Sequence, residues 1–158
     1  MRSMAARAPD AAPDTMAGAP VIERGGLAAG VSNLAALAGR LMLALIFVQD
    51  GWMAITSYAG VQQYMESNGV SGQLLPLVIA TELGGGLLVA VGLLTRIAAF
   101  GLAGFCLLTA VLFHRDLGDA DQSIQFYKDI AIAGGFLMLV AFGPGGWSLD
   151  AWFRRERD

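Results

Sequence analysis

Asp50, Glu82, His114, Lys128 and Asp129 are ionisable residues set within, or at the ends of, long apolar stretches. Glu82 is the plainest case. It interrupts LLPLVIATELGGGLLVAVGLLTR (Leu74 to Arg96), a run otherwise nearly free of polar side chains. A lone charge near the centre of a bilayer costs about 2.5–3.5 kcal/mol on insertion scales, so such residues are kept with a partner, a proton or a function. Carboxylates accept and release protons, and a lysine or a protonated histidine near them supplies a counter-charge. Gln49 and Thr81 adjoin the two buried-looking acids in sequence and add hydrogen-bonding groups.

The elements that must position these residues follow from composition. Of 158 residues, 56% are hydrophobic and only 15% charged, too little charge to cover a soluble domain of this size. The mean hydropathy is +0.59. Four windows, Leu34–Ser57, Leu74–Leu94, Ile97–His114 and Tyr127–Gly143, approach the roughly 20 residues needed to cross a hydrocarbon core of about 30 Å. The expected fold is an all-α membrane protein, an antiparallel bundle of four transmembrane helices. The short connection at Thr95-Arg96 forces the second and third helices to pack side by side. In the first loop, Val61, Tyr64 and Met65 stand at i, i+3 and i+4, the spacing of a short amphipathic helix that caps the bundle.

Arginines and lysines orient the bundle. Arg2, Arg7, Arg24, Arg40, Arg96, Arg154, Arg155 and Arg157 fall on one side, and only Arg115 and Lys128 on the other. By the positive-inside rule both termini are cytoplasmic, N-in and C-in. Residues 1–33, rich in Ala, Pro and Gly and lacking a signal-peptide core, read as a disordered cytoplasmic tail. Residues 34–146 form the transmembrane domain. Residues 147–158 are an interfacial tail in which Trp147 and Trp152 sit at the headgroups and Arg154 and Arg155 face the anionic leaflet. Arg40 lies close enough to the inner surface to snorkel.

With this orientation every helix contributes an ionisable group to the outer half. Glu82 is about 12 Å below the outer surface, counting about 1.5 Å per residue from Leu74, and Asp50 lies at a similar depth. His114 ends the third helix there, and Lys128 and Asp129 open the fourth. Asp50 and Glu82 are therefore expected to line a polar pocket open to the outer side, with Lys128 in reach of at least one. Pairs of small residues four apart, Ala80/Gly84, Ala99/Ala103 and Ala131/Gly135, are candidates for close helix packing.

Other chemistry has no residues to carry it. The single cysteine, Cys106, rules out an intramolecular disulfide or a redox pair within one chain. No metal, haem or iron–sulfur ligand spacing is visible, and no cofactor-binding motif. No nucleophile–base pair or phosphate loop stands out, so no complete catalytic constellation is visible in this chain alone. The expected surroundings are the lipid bilayer and protein partners in a membrane complex, with no nucleic acid.

The segments GRLMLALIFVQDGW, ATELGGGLLVAVGLLTRIAAFGLAG and FYKDIAIAGGFLMLVAFGPGGWSLD resemble the DoxX family of small bacterial membrane proteins over roughly residues 38–151. The most specific parts are Glu82-x-Gly84-Gly85, the turn Gly92–Arg96 and the closing Gly-Pro-Gly…Ser-Leu-Asp. Many relatives open the last helix with Lys-Asn, where this chain has Lys128-Asp129; relatives with His-Gly and a following lysine in helix one are met here by Asp50-Gly51. The resemblance implies a four-helix protein of the bacterial inner membrane. It also implies association with quinone-linked oxidoreductases or with oxidative-stress enzymes, which leaves open a non-catalytic or quinone-binding subunit of an oxidoreductase complex. Three readings stay open: a redox subunit binding a quinone or small reductant, a scaffold whose polar cluster fixes helix register, and a small-solute transporter.

Overall fold

A computed structural model describes residues 22–157. Every described element is helical, as a backbone in lipid requires, since no water is there to satisfy its N–H and C=O groups. Helix α1 (Ile22–Thr56) is followed by α2 (Tyr58–Ser67), which carries Val61, Tyr64 and Met65 as the spacing predicts. The second span is composite: a 3-10 turn (Gly72–Leu74), α3 (Leu75–Ile79), a π-helical turn (Ala80–Gly84) and α4 (Gly85–Val91). Helix α5 (Thr95–Phe113) and helix α6 (Ala120–Phe142) are continuous, and α7 (Leu149–Arg155) ends the chain. Four segments are long and apolar enough to cross a membrane: Gly26–Thr56, Gly72–Val91, Thr95–Phe113 and Ala120–Phe142.

Two boundaries differ from the sequence reading. The irregular tail expected over 1–33 is helical from Ile22, because no proline interrupts the run after Pro20 and Asn33 is held by accepting the Gly146 N–H at 2.8 Å. Its remainder, residues 1–21, lies outside the described residues. Helix α6 starts seven residues before Tyr127, since Asp119 caps it by accepting the Gln122 N–H at 2.9 Å.

The bundle is two antiparallel hairpins. Helix α1 packs along α4 and the π turn, α5 packs along α6, and the hairpins join where α5 meets α4. Their shared core is Phe47, Val89, Leu102 and Phe136 with the small residues Ala99, Ala103 and Ala133 between them. It fills the half of the bundle nearer the termini, hereafter the termini end. The half bearing the α1–α2 and α5–α6 connections is the loop end.

Close helix approach occurs at partly different small residues than expected. Ala99 and Ala103 are buried in the core, and a side chain on Gly135 would meet Leu43 at 3.1 Å. Ala80 and Ala131 are exposed, and open space surrounds Gly84, because the four-residue spacing places them on outward faces. A further close approach is at Gly51, where an added Cβ would lie 2.8 Å from the backbone nitrogen of Leu83.

The termini end is latched by polar contacts. Arg40 is only 2% exposed, so it does not snorkel to the surface; its Nη1 and Nη2 donate to the carbonyls of Pro144 (2.9 Å) and Trp147 (3.0 Å). Asp150 accepts the backbone N–H of Leu94 and both the N–H and hydroxyl of Thr95, while its own N–H donates to Gly92 O at 2.8 Å. The C-terminal segment is thus docked on the bundle as well as presenting exposed Trp147, Trp152, Arg154 and Arg155. The tail folds back because Ser148 caps α7 and Gly143 and Gly145 take positive φ.

Candidate functional site

Asp50, Lys128 and Asp129 are carried by the unbroken helices α1 and α6, whereas regular helix is interrupted around Glu82. In the second span, the π turn Ala80–Gly84 places Glu82 in a stretch with one extra residue per turn, a feature that recurs at functional sites. Thr81 turns its hydroxyl to the Leu77 carbonyl at 2.8 Å. Pro76, in the first turn of α3, costs nothing there because that N–H would be unpaired anyway.

Between the two hairpins at the loop end lies a cavity of about 800 Å³. Asp50, Thr81, Glu82, His114, Lys128 and Asp129 all line it, together with Thr109 and Gln125, which the sequence reading did not single out. Gln49 does not line it: one residue along a helix is a rotation of about 100°, and Gln49 is exposed on the outside of α1. The rest of the wall is apolar, including Phe47, Phe105 and Ile132. Helix α2 roofs the loop end, with Met65 buried against Ala54 and Leu75, and Tyr64 stacked on Phe113 at 5.5 Å. The cavity is therefore larger and more apolar than the polar pocket the sequence suggests.

Some polar groups in the wall are paired. Lys128 Nζ donates to Gln125 Oε1 at 2.7 Å, His114 Nδ1 lies 3.0 Å from Gln122 Oε1, and the Thr109 hydroxyl is 3.4 Å from Asp129 Oδ2. Lys128 acts electrostatically on both Asp50 and Asp129. Glu82 is half-buried within range of the Asp50 charge. Among the described residues no hydrogen bond reaches the Asp50 or Glu82 carboxylates, and neither has a sealed, unpartnered oxygen; both residues line the cavity. Such a site can take up protons or hold a polar headgroup. Cys106 is buried in the core next to these acids and has no second cysteine. No cluster of metal-ligating residues occurs among the described residues.

The Arg40–Asp150 latch was not foreseen. Ser148 in the closing Ser-Leu-Asp is a legible helix N-cap, but nothing in that stretch shows that Asp150 meets Thr95 or that Arg40 meets Pro144 and Trp147.

Comparison with known proteins agrees with this architecture. The chain is 48% identical over 120 residues to inner membrane protein YqjF of Escherichia coli (strain K12), covering 76% of this chain and 92% of that protein. It is 37% identical over 121 residues to inner membrane protein YphA of the same organism, covering 72% of this chain and 86% of that one. No solved structure matches. The DoxX family model matches residues 35–115, a stretch that holds Asp50, the π turn at Glu82 and the Gly92–Arg96 turn. With four membrane-spanning helices and this match over half its length, the chain belongs to the DoxX family of integral membrane proteins.

Proposed function

We propose that this protein is an inner-membrane subunit of a redox system, with both termini cytoplasmic, that binds a quinone (or its quinol) or a small reductant in the loop-end cavity. The observation that carries this reading is the convergence of Asp50, Glu82 and Asp129 with Lys128 on one largely apolar chamber. A quinone has the matching division, an apolar body and polar ring oxygens. On oxidation a quinol gives two electrons to a redox-active partner subunit and releases two protons. Asp50 and Glu82 accept those protons, and Lys128 holds the ring oxygens or the acids in place.

A scaffold role is the second reading. It is favoured by the internal pairing of Lys128 with Gln125 and of His114 with Gln122, contacts that fix helix register without a ligand. A transporter is supported least, because the Phe47–Phe136 core and the Arg40 latch offer a solute no polar path through the termini end.

The test is purification from the native membrane in gentle detergent, of the natural protein and of Glu82→Gln, with co-purifying proteins and lipophilic molecules identified by mass spectrometry. A quinone or redox partner held by the first and lost by the second is the expected result. Identical partners and no small molecule in both preparations would support the scaffold instead.

A further inference from the structure

The cavity wall is open in more than one place: at Met53 on α1, at Gln125 and Lys128 on α6, and between the second span and α5. Leu74 and Leu77 on the second span, and Gly101, Gly104 and Leu108 on α5, line the cavity and are also exposed on the outside of the bundle. Leu77 is 65% exposed and Leu108 56%. Residues with both properties border an opening. Its origin lies in the packing: α5 seats Leu102 against Gly85, where an added Cβ would come within 3.1 Å, but above that level α5 packs on the π turn and not along α3.

Gly101 and Gly104 supply a separate observation. Gly51, Gly85 and Gly86 are each explained by a neighbouring helix that a side chain would strike. A Cβ on Gly101 or Gly104 would meet nothing within 4 Å. Glycine inside a helix costs roughly 0.5–1 kcal/mol relative to alanine, and no packing contact offsets it here. One turn of α5 is thereby left smooth near the level of Glu82: along their helices from the shared Gly92–Leu94 turn, Gly104 and Glu82 both lie about 15 Å away and Gly101 about 10 Å.

Charge restricts what can occupy this space. The three acids Asp50, Glu82 and Asp129 outnumber the two basic groups Lys128 and His114, so an anionic headgroup such as a phosphate or a fatty-acid carboxylate is disfavoured. A neutral or cationic headgroup is accepted.

We propose that the site takes an amphipathic molecule from the bilayer, its neutral headgroup among Asp50, Glu82 and Lys128 and its apolar tail leaving sideways between α3 and α5 across Gly101 and Gly104. This rests on the ligand-site reading above and adds the route, the tail and the charge class.

Two probes test it on the full chain in detergent: a benzoquinone bearing a decyl tail, and the same ring without a tail. Gly104→Leu and, as a second variant on the same wall, Gly101→Leu fill the groove in open space and remove a helical glycine, so the unfolding temperature should not fall for at least one. The expected result is at least tenfold weaker binding of the decyl compound, with tail-less ring binding altered less than twofold. Unchanged decyl affinity in a folded variant overturns the tail route and leaves the headgroup site standing. Failure of the wild type to bind either compound overturns both. Loss of a co-purified phospholipid from the variants, without any effect on the quinones, assigns the groove to bulk lipid and also overturns the proposal.

Discussion

Asp150 closes on Thr95 across 55 residues of sequence, accepting its backbone N–H at 2.9 Å and its hydroxyl at 2.8 Å. Thr95 is fully buried at the start of α5, so this contact satisfies a helix N-terminus that lipid and water cannot both reach. With Arg40 bridging Pro144 and Trp147, it ties the C-terminal segment to both hairpins. One end of the bundle is fastened while the other encloses the cavity.

Asp150→Ala leaves the buried Thr95 N–H and hydroxyl without an acceptor. The expected loss is about 2–3 kcal/mol of stability, from hydrogen bonds to a charged group, read as a lower unfolding temperature in detergent. A wild-type unfolding temperature would show that the latch is not supporting the fold.

The same carboxylate gives the latch a pH dependence. Burial pushes the Asp150 carboxyl upward, but the Thr95 and Leu94 donors outweigh it and hold the group below its ordinary value of 3.8. A depressed folded-state value means the contribution is complete above the unfolded-state value and is lost as pH falls through the folded one. Wild-type stability should therefore fall below about pH 4 more steeply than that of Asp150→Asn. Parallel acid profiles would contradict this.

Arg40→Lys separates charge from geometry. Lysine keeps the positive charge but has no planar fork to bridge the Pro144 and Trp147 carbonyls, so about 1–3 kcal/mol should be lost despite the conservative exchange. Thermal unfolding indistinguishable from wild type would mean that only the charge matters.

Leu94 caps α5 with φ of +48°, a left-handed conformation that bulky residues enter at a cost of about 1–2 kcal/mol. Its side chain is 54% exposed and contributes little packing. Leu94→Gly is expected to raise the unfolding temperature. A decrease would show that the exposed side chain has a contact role that outweighs backbone strain.

How far this was legible in the sequence depends on range. Hydropathy and the first-loop spacing of Val61, Tyr64 and Met65 are local, and they marked four spans and α2. The depth count that grouped Asp50, Glu82, His114, Lys128 and Asp129 also used only rise per residue. Gln49 and Ala80 were misplaced because sequence adjacency and four-residue spacing do not say which face meets a neighbour. The π turn at Glu82 is a one-residue insertion with no composition of its own. Arg40 looked interfacial because nothing local reveals that a segment more than 100 residues later folds back over it.

The central claim is that Glu82 and Asp50 exchange protons with a molecule in the cavity. Its most direct measurement is a redox-induced infrared difference spectrum of the purified protein with the decyl benzoquinone, in the carboxylic C=O region. The expected result is a carboxyl signal on quinol oxidation that is lost in Glu82→Gln and altered in Asp50→Asn. A spectrum with no carboxyl signal, or one that both variants leave unchanged, would contradict it.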